Sequence, residues 1–312
     1  MRIILLASGE FAIPSLKLLA GKRPEIELKL ISQPDRNKGR GRKIAPTPAR
    51  AAALELGLET ATPKSVNSDE GQQVILDFAP DYLVLIDYGI KLSPETIALP
   101  KSAAINLHPS LLPAYRGPAP MPWALINGEP ITGVTTQLIS EKIDCGQILL
   151  QEPTFILDHE TRPQLAQRLG LLGAELVWQT ISDLEDNNLE AKPQDERLAS
   201  TAPKLKKENG LIDWQQPAPT IFNRIRGLNP WPGTYTFLRG KRIKIIAGNP
   251  ISGVYLLPPG ALRVENDQLL VGCGQAGTLS IDKLQIAGKP PRTAAEFIRG
   301  HKIHADDTFS NK

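Results

Sequence analysis

The segment INLHPSLLPAYRGPAP, residues 105–120, holds the side chains best suited to chemistry. Asn106 and His108 follow an apolar run two residues apart, so in a strand they share one face, and Ser110 continues that spacing. An amide donor beside an imidazole suits a reaction that builds negative charge on a carbonyl oxygen while a proton moves. The spacing predicts an acyl-transfer site, whereas a lone histidine at a strand end is also common as a cap or a surface residue.

Asp144, in SEKIDCGQILL, is a second candidate. An aspartate shortly before a glycine is commonly a turn residue. Its functional alternative is to orient His108 and to stabilise its charged form. No GxSxG, HExxH or carboxylate cluster occurs, and neither Cys145 nor Cys273 lies near a histidine in the sequence. The sequence therefore supports no covalent nucleophile and no metal site.

Length and composition set the broad class. The chain has 312 residues, 41% of them hydrophobic and 22% charged, which predicts two globular domains. No apolar run approaches the roughly 20 residues of a membrane helix, and the first run is too short for a signal peptide. Two distant cysteines give no disulfide framework, so we expect a cytoplasmic protein without a membrane partner. A net charge of +3 does not by itself predict a nucleic-acid partner.

The elements that must position these residues alternate between strands and helices. We predict strands in RIILLAS, IELKLISQ, DYLVLID and AAINLH, with helical patterns between them. This alternation indicates an α/β fold with a doubly wound, mostly parallel sheet that binds ligands beyond the carboxyl ends of its strands, where His108 falls. Two more strands, in GVTTQLIS and ILLQEPTFIL, and a helix over about Arg162 to Glu185 complete this domain.

The chain then turns polar and loses its periodicity, which is typical of a linker. Beyond it, five short strands with turn signals, including a hairpin turning at Arg239-Gly240, predict a small β-barrel. We therefore expect a catalytic domain over 1–188, a linker over 189–206 and a second domain over 207–312.

Several motifs together carry a family resemblance. NLHPSLLPAYRGPAP, the downstream DCG, the early SQPDRNKGRGRKIAPTPAR, and the late IDW and IRGLNPWPGTY resemble, in order, the methionyl-tRNA formyltransferases. These belong to the enzymes that move formyl groups from or to 10-formyltetrahydrofolate. The similarity covers nearly the whole chain, from Ile3 to about Phe309. It implies a Rossmann-like first domain and an OB-like second domain, and we expect a monomer.

The resemblance also implies roles for particular residues. The free amine of the methionyl ester on initiator tRNA would attack the formyl carbon of 10-formyltetrahydrofolate. Asn106 and His108 would donate hydrogen bonds to the oxygen of the tetrahedral intermediate, and Asp144 would hold the imidazole. The family segment that contacts tetrahydrofolate matches Ser110, Leu111, Leu112 and Pro113; the alternative is a proline-stiffened loop that only leaves the strand.

Basic residues cluster in two places. RNKGRGRK, from Arg36 to Lys43, has five cations and no acid, and it could be simply a solvated loop. In the family this loop enters the acceptor-stem region of the tRNA, so the candidate contacts are Arg36, Lys38, Arg40, Arg42 and Lys43. Between Lys204 and Lys244 there are nine Lys or Arg against two acids, as a surface that follows phosphates requires. Trp231 and Tyr235 could stack on bases, whereas a tryptophan flanked by prolines is more often packed between domains.

The chain departs from the family pattern at several positions, Pro109 and Gln147 among them. Gly9 stands where a proline is usual, and Asp87 stands where the family has an alanine before Tyr-Gly.

Three rival functions are open. A formyltransferase acting on an amino-sugar nucleotide would share the Asn, His and Asp but would not need the basic loop or the barrel. A non-catalytic RNA-binding protein would not need the three polar residues, and a hydrolase releasing formate would not need the RNA-binding surface.

Overall fold

The computed structural model describes residues 1–38, 43–251 and 256–312. The chain divides into two compact units. The first comprises Met1–Pro120, Ile131–Phe155 and Pro163–Pro203. The second comprises Met121–Pro130, Ile156–Arg162 and Lys204–Lys312. Within the described ranges, no helix is both long enough and apolar enough to span a membrane.

The first unit is built on a seven-stranded sheet. The strands up to residue 155 are β1 (Arg2–Ala7), β2 (Glu27–Ile31), β3 (Arg36–Lys38), β4 (Lys43–Ala45), β5 (Glu59–Ala61), β6 (Tyr82–Ile86), β7 (Ala103–His108), β8 (Ile131–Leu138) and β9 (Ile148–Phe155). Of these, β3 and β4 form a separate two-stranded sheet. The sheet has the order β5-β2-β1-β6-β7-β8-β9. Its first five strands are parallel, and β8 and β9 are antiparallel to their neighbours. The predicted mostly parallel α/β sheet is confirmed.

Helices connect these strands. They are α1 (Ile13–Gly21), α2 (Pro48–Glu55), α3 (Asp69–Phe78), α4 (Pro94–Ile97), α5 (Pro120–Asn127) and α6 (Arg162–Glu185). The side chains of Thr47, Ser68 and Ser93 cap α2, α3 and α4 by accepting hydrogen bonds from backbone N–H groups of the first turn. Strands β1 and β6 are almost wholly buried, so the apolar runs that predicted them form the centre of the sheet.

The two described ends of the basic run, at Arg36 and Lys43, lie in strands. Strands β3 and β4 pair antiparallel, with Arg36 opposite Ala45 and Lys38 opposite Lys43. At these two ends the run is therefore paired strand and not loop. Arg40 and Arg42 lie outside the described residues.

The polar segment predicted as a linker contacts the first unit. Lys192 forms a β-bridge with Ile148, and Thr201 forms one with Arg116. Residues up to Pro203 accordingly belong to the first unit. Their pairing partners are distant in sequence, so the lack of local periodicity gave no sign of this structure.

The second unit contains an antiparallel sheet. Its elements are α7 (Ala218–Leu228), β10 (Thr234–Leu238), β11 (Lys241–Ile251), β12 (Leu262–Glu265), β13 (Gln268–Gly272), β14 (Thr278–Ile286), β15 (Arg292–Thr293) and α8 (Ala294–Gly300). The order is β10-β11-β14-β13-β12, with β15 beside β14. Arg239 and Gly240 both have positive φ, 49° and 71°, as the predicted two-residue hairpin turn requires.

The core of this unit lies between the sheet and its helices. Ile221 and Ile225 of α7 pack in one buried cluster with Ile243, Leu269 and Ile281 of the strands. Burial of each such side chain contributes about 1.5–3 kcal/mol. Near the C-terminus, bridges join Ser310 to Phe237 and Thr308 to Ala261, so the last residues link β10 to the segment before β12.

Candidate active site

The polar candidates meet at the carboxyl edge of the first sheet. Asn106 and His108 lie on β7, which pairs Asn106 with Leu85 of β6 and His108 with Thr135 of β8. Asp144 lies in the loop that joins β8 to β9. The structure thus brings two of these side chains, His108 and Asp144, into direct contact.

His108 and Asp144 are within ion-pair distance of each other. His108 Nδ1 lies 3.5 Å from Asp144 Oδ1, longer than a normal hydrogen bond. Only 6% of the His108 side chain and 12% of the Asp144 side chain are exposed. The low local dielectric strengthens the attraction between an imidazolium and this carboxylate.

Both ring nitrogens of His108 face oxygen atoms. Nε2 lies 3.0 Å from the carbonyl oxygen of Tyr115, and Nδ1 faces Asp144. A neutral imidazole has one N–H, so either tautomer satisfies one oxygen and turns a lone pair toward the other. Only the imidazolium has an N–H for each of the two oxygens.

Asp144 is held by several donors. Its Oδ2 accepts a 2.7 Å hydrogen bond from the backbone N–H of Gly117, and its Oδ1 accepts one of 3.3 Å from the side-chain amide Nε2 of Gln137. The backbone of Asp144 has a φ of 54°, in the left-handed region that an aspartate tolerates better than most residues. These constraints aim the carboxylate at His108.

Asn106 differs from its neighbours because its amide makes no hydrogen bond to any residue in the described ranges. The side chain is half-buried. Its two N–H donors are therefore available to a carbonyl oxygen placed beside the His108–Asp144 pair.

The segment predicted to contact folate divides into buried and accessible residues. Ser110 is buried, and its hydroxyl donates a 2.7 Å hydrogen bond to the carbonyl of Ala114. The two-residue spacing predicted that Ser110 would lie on the same face as Asn106 and His108. The chain bends after the strand, and the Ser110 hydroxyl bonds within the loop instead. Leu112 is also buried, whereas Leu111 and Pro113 are half-buried.

Asp87, which follows β6, has a perturbed carboxyl group. Its side chain is reached by solvent, yet the surrounding protein displaces much of the water around it. This desolvation, with a smaller repulsion from Glu10, raises its pKa to about 6. The carboxylate lies at the carboxyl end of β6, next in the sheet to the strand that carries His108.

Of the candidate tRNA contacts, only Arg36 has a described side chain. It is exposed and donates a 2.6 Å hydrogen bond to Gln33 Oε1. Only the backbone is described for Lys38, which ends β3, and for Lys43, which begins β4. Arg40 and Arg42 lie outside the described residues.

The cations of the second unit are not equivalent. Arg224 and Arg226 donate to backbone carbonyls inside the unit, and Arg239 pairs with Asp307. The remaining cations between residues 204 and 244 are exposed or half-buried, namely Lys204, Lys206, Lys207, Lys241, Arg242 and Lys244. Arg242 also lies over the ring of Tyr235, 3.7 Å from its centroid.

Sequence reasoning missed the residues that surround the pair. Gly117, Gln137 and Gln194 all contact Asp144. The Arg-Gly turn was visible at 116–117, but nothing in the sequence linked Gln194 to a site some fifty residues earlier. No group of metal-binding side chains occurs among the residues that the structure describes.

The fold and this site define a class of protein. The family model for formyl transferases matches residues 1–181, and the model for the C-terminal domain of formyl transferases matches residues 204–302. The chain is therefore a formyltransferase, with a polar His, Asp and Asn cluster at the expected edge of its sheet.

Relatives that match nearly the full length of the chain show which kind of formyltransferase it resembles. The chain is 41% identical to a methionyl-tRNA formyltransferase of Thermodesulfovibrio yellowstonii over 99% of both chains. It is 39% identical to one from Geobacter sulfurreducens, over 97% of this chain and 95% of the relative. The chain belongs to the methionyl-tRNA formyltransferase family.

Solved structures agree with the fold. HypX from Aquifex aeolicus in complex with tetrahydrofolic acid superposes with a TM-score of 0.64 at 18% identity, over 96% of this chain and 47% of that one. An N-formyltransferase from Helicobacter canadensis, in complex with folinic acid and dTDP-3-aminofucose, gives a TM-score of 0.67 at 18% identity, over 90% of this chain and 98% of that one. At these identities the likeness concerns the fold alone.

Proposed function

We propose that this protein transfers the formyl group of 10-formyltetrahydrofolate to the amino group of methionyl initiator tRNA, giving N-formylmethionyl-tRNA. The observation that carries the proposal is the contact between His108 and Asp144, together with the Asn106 amide on the strand of His108, which has no hydrogen-bond partner among the described residues. Family membership supplies the donor and the acceptor.

The reaction needs no external proton. The neutral amine attacks the formyl carbon, and the carbonyl electrons move to oxygen. Collapse of the tetrahedral intermediate breaks the bond from carbon to N10 of the folate. The amine loses one proton and N10 gains one, so the protein must stabilise an oxyanion and a proton in transit.

The chain's own residues suit these two tasks. The Asn106 amide donates to the oxygen that becomes negative. An N–H of His108 is the second donor, and Asp144 stabilises the positive charge of the ring. Because Nε2 faces the Tyr115 carbonyl, His108 must share or exchange that contact when the formyl oxygen binds. An imidazole also exchanges protons near neutral pH.

The folate would lie against the segment that follows β7. Leu111 and Pro113 are the members accessible enough to touch it. Ser110 and Leu112 act through the shape of the loop, since Thr135 Oγ1 donates to the carbonyl of Ser110 and accepts from the N–H of Leu112. The available Asn106 amide fits a formyl oxygen beside this surface.

The tRNA would contact cations of both units. The exposed side chains of Arg36 and of Lys204, Lys206, Lys207, Lys241 and Arg242 support this assignment. Phosphate contacts of this kind give binding that weakens steeply with salt. We place the reaction in the cytoplasm, where initiator tRNA is charged; the monomeric state stays a prediction.

The direct test is transfer of labelled formyl from 10-formyltetrahydrofolate to methionyl initiator tRNA, with an amino-sugar nucleotide as the competing acceptor. Labelled tRNA that disappears with His108→Ala is the expected result. Labelled sugar alone would keep the chemistry and contradict the acceptor. Binding of tRNA with no transfer to either acceptor would favour the non-catalytic alternative.

A further inference from the structure

A segment of the chain crosses the loops that hold the His108–Asp144 pair. We name residues 192–202 the strap. At one end, Lys192 exchanges two backbone hydrogen bonds with Ile148, of 2.7 and 2.8 Å. At the other end, Ala202 N–H donates to the carbonyl of Arg116 at 2.7 Å, and Arg116 N–H donates to the carbonyl of Ser200 at 2.9 Å.

The loop under the strap, residues 113–119, touches both members of the pair. The Tyr115 carbonyl faces His108 Nε2, and the Gly117 N–H donates to Asp144 Oδ2. A shift of this loop would therefore move His108 and Asp144 together.

Gln194, in the strap, holds the other side of Asp144. Its Nε2 lies 2.9 Å from the backbone carbonyl of Asp144 and 2.7 Å from that of Gly146. It also lies 3.2 Å from Oε1 of Gln137, whose Nε2 donates to the Asp144 carboxylate. One amide thus holds two backbone carbonyls of the loop that carries Asp144, one on either side of Cys145.

Arg116 fixes Gln194 in turn. Its Nε and Nη2 donate to Gln194 Oε1 at 3.0 and 2.7 Å. Its guanidinium also pairs with both carboxylate oxygens of Glu196, at 2.9 and 2.8 Å. Because Arg116 occupies the acceptor oxygen of Gln194, the amide must turn its N–H donors toward Asp144 and Gly146.

We propose that Gln194 is a positioning residue for formyl transfer, oriented by Arg116 and acting through the turn that carries Asp144. The inference rests on the proposed function for its kinetic effect. Neither Gln194 nor Arg116 needs to touch the formyl group, because both act by fixing the distance between Asp144 and His108. Within the strap, Gln194 is the residue that serves the site, through its contacts with Asp144 and Gly146.

The test compares Gln194→Glu with the wild-type enzyme. Glutamate keeps an acceptor for Arg116 but replaces the N–H donors by an oxygen that faces two carbonyls. We expect kcat to fall about 10- to 100-fold, as for other small displacements of catalytic groups, with little change in KM for either substrate. Gln194→Ala is the second variant if the glutamate form fails to fold. Arg197→Gln, at an exposed arginine of the same strap that pairs with Asp195, is the matched control and should leave kcat unchanged.

Two readouts separate positioning from general damage. In an Asp144→Asn background, Gln194→Glu should cause no further loss of kcat, because the two residues act along one path. In labelled protein, the ring ¹⁵N signals of His108, assigned with His108→Ala, should shift in Gln194→Glu and stay in place in Arg197→Gln. This second readout needs no substrate, so it tests the strap even if formyl transfer itself is absent.

The proposal fails if folded Gln194→Glu and Gln194→Ala keep the wild-type kcat and the wild-type His108 signals. It also fails if the loss of kcat adds fully to that of Asp144→Asn. A wild-type enzyme that transfers no formyl group would instead contradict the proposed function, with the His108 signals still deciding the role of the strap.

Discussion

The absent side chain of Gly9 leaves the space that the Asp87 carboxylate fills. A Cβ built on Gly9 would lie 1.5 Å from Asp87 Oδ2 and 2.3 Å from its Cγ. The backbones are joined as well, since the N–H groups of Ser8 and Gly9 both donate to the carbonyl of Asp87. These two departures from the family pattern are thus one structural change, in which the acidic side chain requires a glycine opposite it.

This relationship predicts strongly non-additive substitutions. Gly9→Ala alone should destabilise the protein, because its methyl group must displace the Asp87 carboxylate. In an Asp87→Ala background the same change should cost little, since the space is then open and Gly9 has an ordinary extended backbone. Urea unfolding of both single variants and the double variant measures the coupling free energy. Equal effects of Gly9→Ala in the two backgrounds would show that the residues are independent.

Asp87 also predicts a pH dependence of stability. Its pKa in the folded protein, about 6, lies above the ordinary value of 3.8. Between these values the folded state binds more protons than the unfolded state, so this group lowers stability as the pH rises from about 4 through 6. Asp87→Asn should therefore unfold at higher urea concentration than wild type at about pH 7.5, with the difference shrinking toward about pH 4.5.

Glu25→Gln is the control for this experiment, because it removes the same formal charge from an exposed position. A stability gain for Asp87→Asn that is equal at both pH values would show that the carboxyl group is not desolvated in the folded protein.

The sequence predicted most of the first unit because its signals are local. The apolar run of β1 and the helical pattern of α6 from Arg162 to Glu185 need no knowledge of distant residues. Gly9 and Asp87 were each visible as departures, but their contact depends on β1 lying beside β6, with Ala7 opposite Ile86. Strand order is a property of the whole sheet, so the coupling could not be seen from the sequence.

The residues of the candidate site also divide into those that the sequence predicted and those that it did not. The two-residue spacing placed Asn106 and His108 on one strand face, and the chain bend after β7 then turned the Ser110 hydroxyl into the loop. Gln194 was invisible because its partners, Asp144 and Gly146, lie some fifty residues away and contact it through backbone carbonyls, which carry no sequence signal.

Removal of either oxyanion donor should slow transfer without unfolding the protein. His108→Ala and Asn106→Ala should each lower kcat at least about a hundredfold, as for the loss of a general acid or an oxyanion donor in other enzymes. Asp144 keeps its bonds to Gly117 and Gln137 when His108 is shortened, so the turn should persist. Single-turnover formyl transfer measures the effect. Near-normal rates in folded His108→Ala would exclude the proposed mechanism.

Substitution of Gly146 tests whether the position of the turn that carries Asp144 matters for transfer. A Cβ at this position would lie 1.6 Å from the carbonyl oxygen of Leu138, which is backbone and cannot move aside cheaply. Gly146→Ala should therefore displace the turn and lower kcat together with stability. Gly21→Ala, on a helix where nothing lies within 4 Å of the added carbon, is the matched control and should leave kcat unchanged. A fully active Gly146→Ala enzyme would show that the turn tolerates displacement.

The basic run from Arg36 to Lys43 predicts an effect on the tRNA acceptor and none on the folate donor. Neutralising Arg40 and Arg42 should raise KM for the tRNA and reduce the salt slope of its binding by about one for each phosphate that is no longer neutralised, while KM for the folate stays constant. The matched variant is Arg36→Gln, which removes an exposed cation at the described start of the same run. If Arg40 and Arg42 contact phosphates, the salt slope of tRNA binding should fall furthest in the variant that replaces both. An unchanged slope would assign RNA binding to the cations of the second unit, where Lys206→Gln and Lys207→Gln would then have to reduce it.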